Sequence, residues 1–328
     1  MVWFDPVVRF AKHMHPTFSI VFFTTASGAG FALLFLLGVG VPLGLLPSDP
    51  WFGVAGLGTA FVLAAGGLVS SVFHLGRPER AWRAFSQWRS SWLSREGVLA
   101  VATFIPAAIF AIGWIFFGIM SGFVGLCGIL AAALAAGTIY CTGMIYASLK
   151  PIHQWHNRWV VPNYLALALM SGFLLLAFVA RFWVGWPVGT EILTLLAIAA
   201  AWALKEAYWR FIDTTTAPSS IASATALGGR GRVRMLEPPH TQDNYLLREM
   251  GFRIARKHRV RLRVMSRMAG FALPGALTLA ALFVAGGIGI LLAAIAVASA
   301  ALGLVVERWL FFAEAKHTVT LYYGAEAA

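Results

Sequence analysis

This sequence predicts an all-helical integral membrane protein, eight transmembrane helices in a bundle with both termini cytoplasmic. Composition comes first: of 328 residues, 59% are hydrophobic and 12% charged, and the mean hydropathy is +0.77. A water-soluble domain is not built from such a mixture. Second, the chain repeats apolar runs long enough to cross a hydrocarbon core of roughly 30 Å as helices. Third, Lys and Arg gather in alternate connections, the pattern of loops retained on the cytoplasmic side.

Residues 1 to 16 read as an interfacial segment. Trp3, Phe4, Val7, Val8 and Phe10 alternate with Arg9 and Lys12, which suits a short helix lying on the headgroups; a disordered tail is the alternative. The first apolar run, 17 to 38, has no small-residue cleavage pattern and is long enough to span, so it is expected to remain as a helix. Runs at 53 to 73, 96 to 118, 122 to 147, 162 to 182 and 188 to 209 complete a membrane unit over 17 to 210. Only Met120, Ser121 and Gly122 divide the third run from the fourth, and a merged helix would be too long for a bilayer. In the fourth run Gly128, Ala132 and Ala136 recur every fourth residue, a small face that admits a neighbouring backbone. Its Cys127 and Cys141 lie about 21 Å apart along the helix, so they neither pair nor share a metal.

A basic cytoplasmic segment covers 211 to 266. It opens polar and turn-rich from Asp213 to Pro218, passes Gly228, Gly229 and Gly231 among arginines, and reaches Pro238 and Pro239. An amphipathic helix is then expected, with Arg253, Arg256, Lys257, Arg259, Arg261, Arg263 and Arg267 interleaved with Phe252, Ile254, Val260, Leu262 and Val264. Such a helix suits anionic lipid or an acidic patch on a partner. Runs at 267 to 286 and 288 to 312, hinged at Gly286 and Gly287, and a short tail close the chain over 267 to 328.

Charge placement sets the orientation. Arg9 and Lys12 precede the first run; Arg77, Arg80, Arg83, Arg89 and Arg95 follow the second; Lys150 and Arg158 follow the fourth. The loops at 39 to 52, 119 to 121 and 286 to 287 carry neither Lys nor Arg, and only Arg181 lies near the remaining one. The net charge of +12 is thus read as topological bias plus contact with membrane lipid, not as a nucleic-acid surface.

The titratable residues narrow the chemistry. His13, His15, His74, His153, His156, His240, His258 and His317 all fall at or beyond predicted cytoplasmic helix ends, whereas a haem in the bundle needs inward-facing imidazoles from spanning helices. Neither haem nor iron–sulfur cluster is expected, and no metal site. Glu191, Glu206 beside Lys205, and Glu307 beside Arg308 sit near run ends. No acidic relay crosses the bilayer centre, which argues against an ion-coupled transporter, as does the mismatch of the mid-run prolines Pro106 and Pro274 between two halves. Trp82, Phe85, Trp88, Trp92, Trp155, Trp159, Trp209 and Phe211 cluster at the inner interface, where anchoring is the ordinary role; walling a slot for a flat apolar ring is the alternative.

One junction gathers a titratable donor, a fixed cation and a carboxylate. His74, Leu75, Gly76, Pro78, Arg80 and Ala81 are followed by Leu93, Ser94 and Glu96 at the start of the next run. This pair of motifs, with Met144 to Leu149 and Glu307-Arg308, resembles the membrane-anchor subunit of the dimethyl sulfoxide reductase family. The segment from Asn244 to Phe252, followed by Arg256, Lys257 and His258, is similar to anchors of cytoplasmic sulfite dehydrogenases in the same superfamily. The resemblance implies a membrane component of the bacterial inner membrane that binds quinone, either menaquinone or ubiquinone. Its implied partners are a four-cluster-type iron–sulfur subunit and a molybdopterin catalytic subunit. The implied quinone region is His74, Gly76, Arg80 and Glu96, and the expected docking residues are Arg77, Arg83, Arg256, Lys257 and Arg259.

The residues suit that chemistry. Oxidising a quinol releases two electrons and two protons, so its site needs a proton acceptor; an imidazole with an ordinary pKa of about 6.5 serves near neutrality. Arg80 keeps its charge and steadies an anionic ring or pairs with Glu96. Glu96 passes protons to water, and Gly76 allows a tight turn or close approach. The plainer roles are a histidine helix cap and an Arg80–Glu96 staple. A transporter or a purely structural anchor is the alternative for the whole chain.

Overall fold

A computed structural model describes residues 16–73, 75, 77–185, 187–217, 219–231, 233–234, 236–237 and 253–323. Eight helices among them are long and apolar enough to cross a membrane. They are α1 (Pro16–Gly40), α2 (Pro50–Val72), α3 (Trp92–Phe117), α4 (Gly122–Ala147), α5 (Val160–Val184), α6 (Val188–Thr214), α7 (Arg259–Ala281) and α8 (Gly286–Ala313). The interfacial segment expected over 1 to 16 lies, apart from Pro16, outside the described residues, as do His74 and Gly76.

Local chemistry sets the helix ends. Asp49 caps α2 by accepting from the Trp51 and Phe52 amides at 2.9 and 3.0 Å, with Pro50 in the first turn, where its missing N–H costs nothing. At the end of α3, Gly118 takes φ +65°, a left-handed cap that glycine adopts without strain. The fourth span has the expected bounds, but the seventh starts eight residues before the expected 267 and ends five before 286. The early start is possible because Arg263 and Arg267 are paired with Asp213 and Glu206 of α6 and with Glu314 at the end of α8, so the last part of the arginine-rich stretch joins the span, while Arg253–Lys257 forms a short helix of its own. Residues 268–272 of α7 form a π turn just before Pro274, a usual accommodation where proline supplies no N–H to the ladder.

Helix α1 lies at the centre, packed on α2, α4 and α5 and touching α8. The small face expected on α4 meets it: a Cβ on Gly38 would fall 2.4 Å from the Gly128 carbonyl oxygen. Gly303 of α8 crosses α7 even more closely, its would-be Cβ 2.1 Å from the Gly270 nitrogen. Dispersion between closely approaching backbones is the main attraction left where lipid replaces water.

Hydrogen bonds identify the two ends of the bundle. At one, the Ser70 hydroxyl donates to Ser19 O at 3.2 Å, the Trp155 indole to Phe311 O at 3.0 Å, and Asn163 to Leu204 O at 3.1 Å. This end carries the starts of α1, α3, α5 and α7 and the basic loops, and is called the basic face below. At the other end the Trp114 indole donates to Ser48 O at 3.0 Å. There the buried Arg181 pairs with Glu191 of α6 and donates to Val284 O at 2.8 Å, tying the α5–α6 hairpin to the α7–α8 turn.

Candidate functional site

The loop from α2 to α3 folds back on the basic face as a 3-10 helix, Pro78–Gln87. It is clamped to the first turn of α3. The Ser94 hydroxyl donates to Ala84 O, and the Arg95 guanidinium donates to Trp88 O and Arg89 O at 3.0 and 2.6 Å. Phe85 covers Gly97, where a Cβ would sit 3.0 Å from the ring. The clamp fixes the rotation of α3 and turns Glu96 inward. Glu96 is 4% exposed, and its carboxylate accepts a hydrogen bond from the Thr142 hydroxyl of α4.

Arg80 behaves differently. It is exposed and sits 3.9 Å from Glu79, which is also exposed, while Glu96 is met by Thr142. The staple considered between Arg80 and Glu96 is replaced by a helix-to-helix bond. The aromatic residues also divide. Trp82 and Trp88 lie on the surface under the guanidinium groups of Arg83 and Arg89, whereas Trp155 and Trp209 are buried in a core with Tyr208 and Phe311. The first pair suits anchoring; the second holds α4, α6 and α8 together.

Thr142 also lines a cavity of about 20 Å³ inside the bundle, space for about one water, together with Thr24, Ser27, Tyr164 and Arg308. Among the described residues the Tyr164 hydroxyl is buried with no partner at good hydrogen-bond geometry, its ring is stacked on Tyr146 at 5.6 Å, and the Arg308 guanidinium lies over it at 3.8 Å. Arg308 is 3.6 Å from Glu307, which pairs with Lys205 of α6. Polar groups therefore lead from Glu96 through Thr142 and the cavity to Arg308, Glu307 and Lys205. Sequence reasoning singled out Glu96 and the Glu307-Arg308 pair without joining them, and missed Thr142 and Tyr164. The available signal was three hydroxyl residues, Thr24, Thr25 and Ser27, within one turn of an apolar run.

The expected docking residues separate by what they touch. Arg77, Arg83, Lys257 and Arg259 are exposed. Arg256 instead donates to Ala313 O at 2.8 Å and Ala315 O at 2.9 Å, satisfying carbonyls left open at the end of α8. Arg263 bridges Asp213 and Glu314 at 2.6 and 2.7 Å. Around this face burial lowers the His153 imidazole below its ordinary range. His317 is lowered by burial first and by the Arg256 charge second.

A buried carboxylate reached by a threonine hydroxyl, beside a small polar cavity, is equipped to accept a proton and hand it to water. The buried Tyr164 hydroxyl and the Arg308 guanidinium are donors suited to an oxygen-bearing ring. Residues 14–324 match the family described as DMSO reductase anchor subunit (DmsC). A sulfite dehydrogenase subunit of Allochromatium vinosum is 34% identical over 338 residues, spanning 96% of this chain and 100% of the relative. No solved structure matches the chain.

Proposed function

The chain belongs to the dimethyl sulfoxide reductase anchor-subunit family, and on that premise we propose that it exchanges electrons between the membrane quinone pool and an iron–sulfur partner. The complex is of the molybdopterin type, with sulfite oxidation favoured by the relative's name. The basic face is cytoplasmic in a bacterial inner membrane, with both termini on that side. The quinone is menaquinone or ubiquinone.

One observation carries this reading: Glu96 is buried at the basic face, joined to Thr142 and next to the loop that begins at His74. Charged groups at membrane depth are costly and usually functional. His74 and Glu96 take up or supply the protons that accompany two-electron exchange. Gly76, with no side chain, suits a close approach of the ring, and Arg80 contributes positive potential at the mouth. A bound quinone supplies the two-electron carrier; the chain positions it and moves the protons. Arg77, Arg83, Lys257 and Arg259 present exposed positive charge to a four-cluster-type iron–sulfur subunit.

The test uses the assembled complex. His74→Ala and Glu96→Gln are each expected to lower quinone-linked turnover by roughly a hundredfold, the scale of a lost general acid or base, while dye-linked activity of the catalytic subunit is unchanged. Unaltered quinone-linked turnover in a fully assembled His74→Ala complex would leave only a structural anchor.

A further inference from the structure

A second, larger cavity of about 220 Å³ opens between α1, α5 and α8. Its walls are apolar, with Ala26, Ala29, Leu174, Ala300 and Val305 among them. Phe22 and Val305, 51% and 38% exposed, mark where it meets the lipid-facing surface. At its inner end Thr25, Ser171 and Leu304 are shared with the small polar cavity that holds Thr142, Tyr164 and Arg308. An apolar chamber open to lipid thus ends on polar groups linked to Glu96.

The hydroxyls at the junction have a fixed polarity. Thr25 donates to Val21 O at 2.8 Å, and Ser171 donates to Leu167 O at 2.8 Å. A hydroxyl has one hydrogen and two lone pairs, so both side chains remain as acceptors facing the chamber. A polar ligand seated there is favoured if it brings a donor. A phospholipid headgroup does not match, because it is charged and belongs at the interface rather than between apolar walls. A hydroquinone does match, since its ring carries two O–H donors and its prenyl chain suits the alanine and valine walls.

We propose that the chamber between α1, α5 and α8 binds the hydroquinone form, its chain along Ala26, Ala300 and Val305 and a ring hydroxyl donating to Thr25 or Ser171. This rests on the quinone reading above and adds where the ring sits and from which side it enters. The polar cavity has space for about one water, and its lining includes both Thr142 and the Thr25 and Ser171 it shares with the chamber. Thr142 donates to Glu96, so when oxidation frees the ring proton, a water held in the polar cavity would accept it from the ring oxygen and pass it through the Thr142 hydroxyl to the carboxylate, while the two electrons leave to the partner.

The test is photolabelling of the assembled complex with a prenylated azidohydroquinone, read by peptide mapping, alongside hydroquinone titration of turnover in the quinol-oxidising direction. Label is expected on peptides of α1 and α8. Ala300→Trp, which fills the chamber, should abolish that label. The double substitution Thr25→Val with Ser171→Ala, which removes the acceptors without adding bulk, should raise the half-saturating quinol concentration about tenfold, a loss of about 1.4 kcal/mol. Label confined to the 74–96 loop, with both variants titrating like the parent, would overturn the chamber while leaving quinone exchange intact. Preferential labelling by a photoreactive phospholipid that prenylated quinone does not displace would likewise assign the chamber to lipid. No label and no quinone-linked turnover in the parent complex would remove the underlying function itself.

Discussion

Lys205 and Glu206 are neighbours in sequence, yet they serve different helices. Adjacent residues on a helix do not share a face, so Lys205 turns inward to Glu307 of α8, while Glu206 meets Arg267 of α7 at 2.6 Å. Lys205 also sits over the Tyr208 and Trp209 rings at 4.2 and 5.0 Å, a desolvated site where an unmatched charge is costly. Removing one partner by Lys205→Met or Glu307→Gln is expected to cost about 3–5 kcal/mol, and replacing both with apolar residues much less; thermal unfolding in detergent gives the ordering. His317 adds a pH dependence. Its imidazole packs on Trp155 at 5.3 Å and is lowered by burial and by Arg256. When the packing opens, the ring regains an ordinary pKa of about 6.5, so the open form binds more protons below that value and acid favours it. Protection of the amides of residues 314–323, taken relative to the intrinsic exchange rate at each pH, should therefore fall between about pH 7 and about pH 5; equal protection at both would show that His317 is not held neutral by its burial.

Among the helices, the α7–α8 crossing is the most sensitive to volume. Gly303 meets Gly270 within the π turn, so Gly303→Val forces the pair apart and is expected to cost about 1–3 kcal/mol, the range for overpacking. Gly58→Val, at a position with nothing within 4 Å, is the control in the same unfolding assay and should shift it far less. Element number and order were legible in the sequence, because a run of apolar residues is the most direct signal a helix leaves. The start of α7 was not. Arg263 and Arg267 look like surface charge until Asp213, Glu314 and Glu206 are placed beside them, and pairing between distant helices leaves no local pattern. The same limit hid most of the candidate site. Glu96 stood out as a carboxylate in an apolar run, but Thr142, Tyr164 and Arg308 join it only through packing. The bonds of Arg256 were hidden for a related reason: the open carbonyls at the end of α8 that it meets lie far along the chain.

Across the whole molecule, the basic loops, the buried carboxylate and the end of the Lys205–Glu307 network share one half of the bundle. The opposite end is closed by Arg181 and Glu191. If electrons and protons both enter and leave at the basic face, no net charge crosses the bilayer. Turnover of the complex in liposomes should then build no membrane potential, and a potential read by a voltage-sensitive dye would show that charge does cross. The exposed cations on that face predict that raised salt loosens the iron–sulfur partner, as screened charge pairs do; a salt-independent affinity would point to apolar docking. The central claim, that electrons pass between quinone and partner through this chain, is tested most directly by rapid mixing. The assembled complex, its iron–sulfur clusters reduced in advance, is mixed with quinone and followed at the cluster absorbance. Rapid reoxidation is predicted with the parent chain and is lost with Glu96→Gln, whereas reoxidation that is equally fast without this membrane chain would contradict the account.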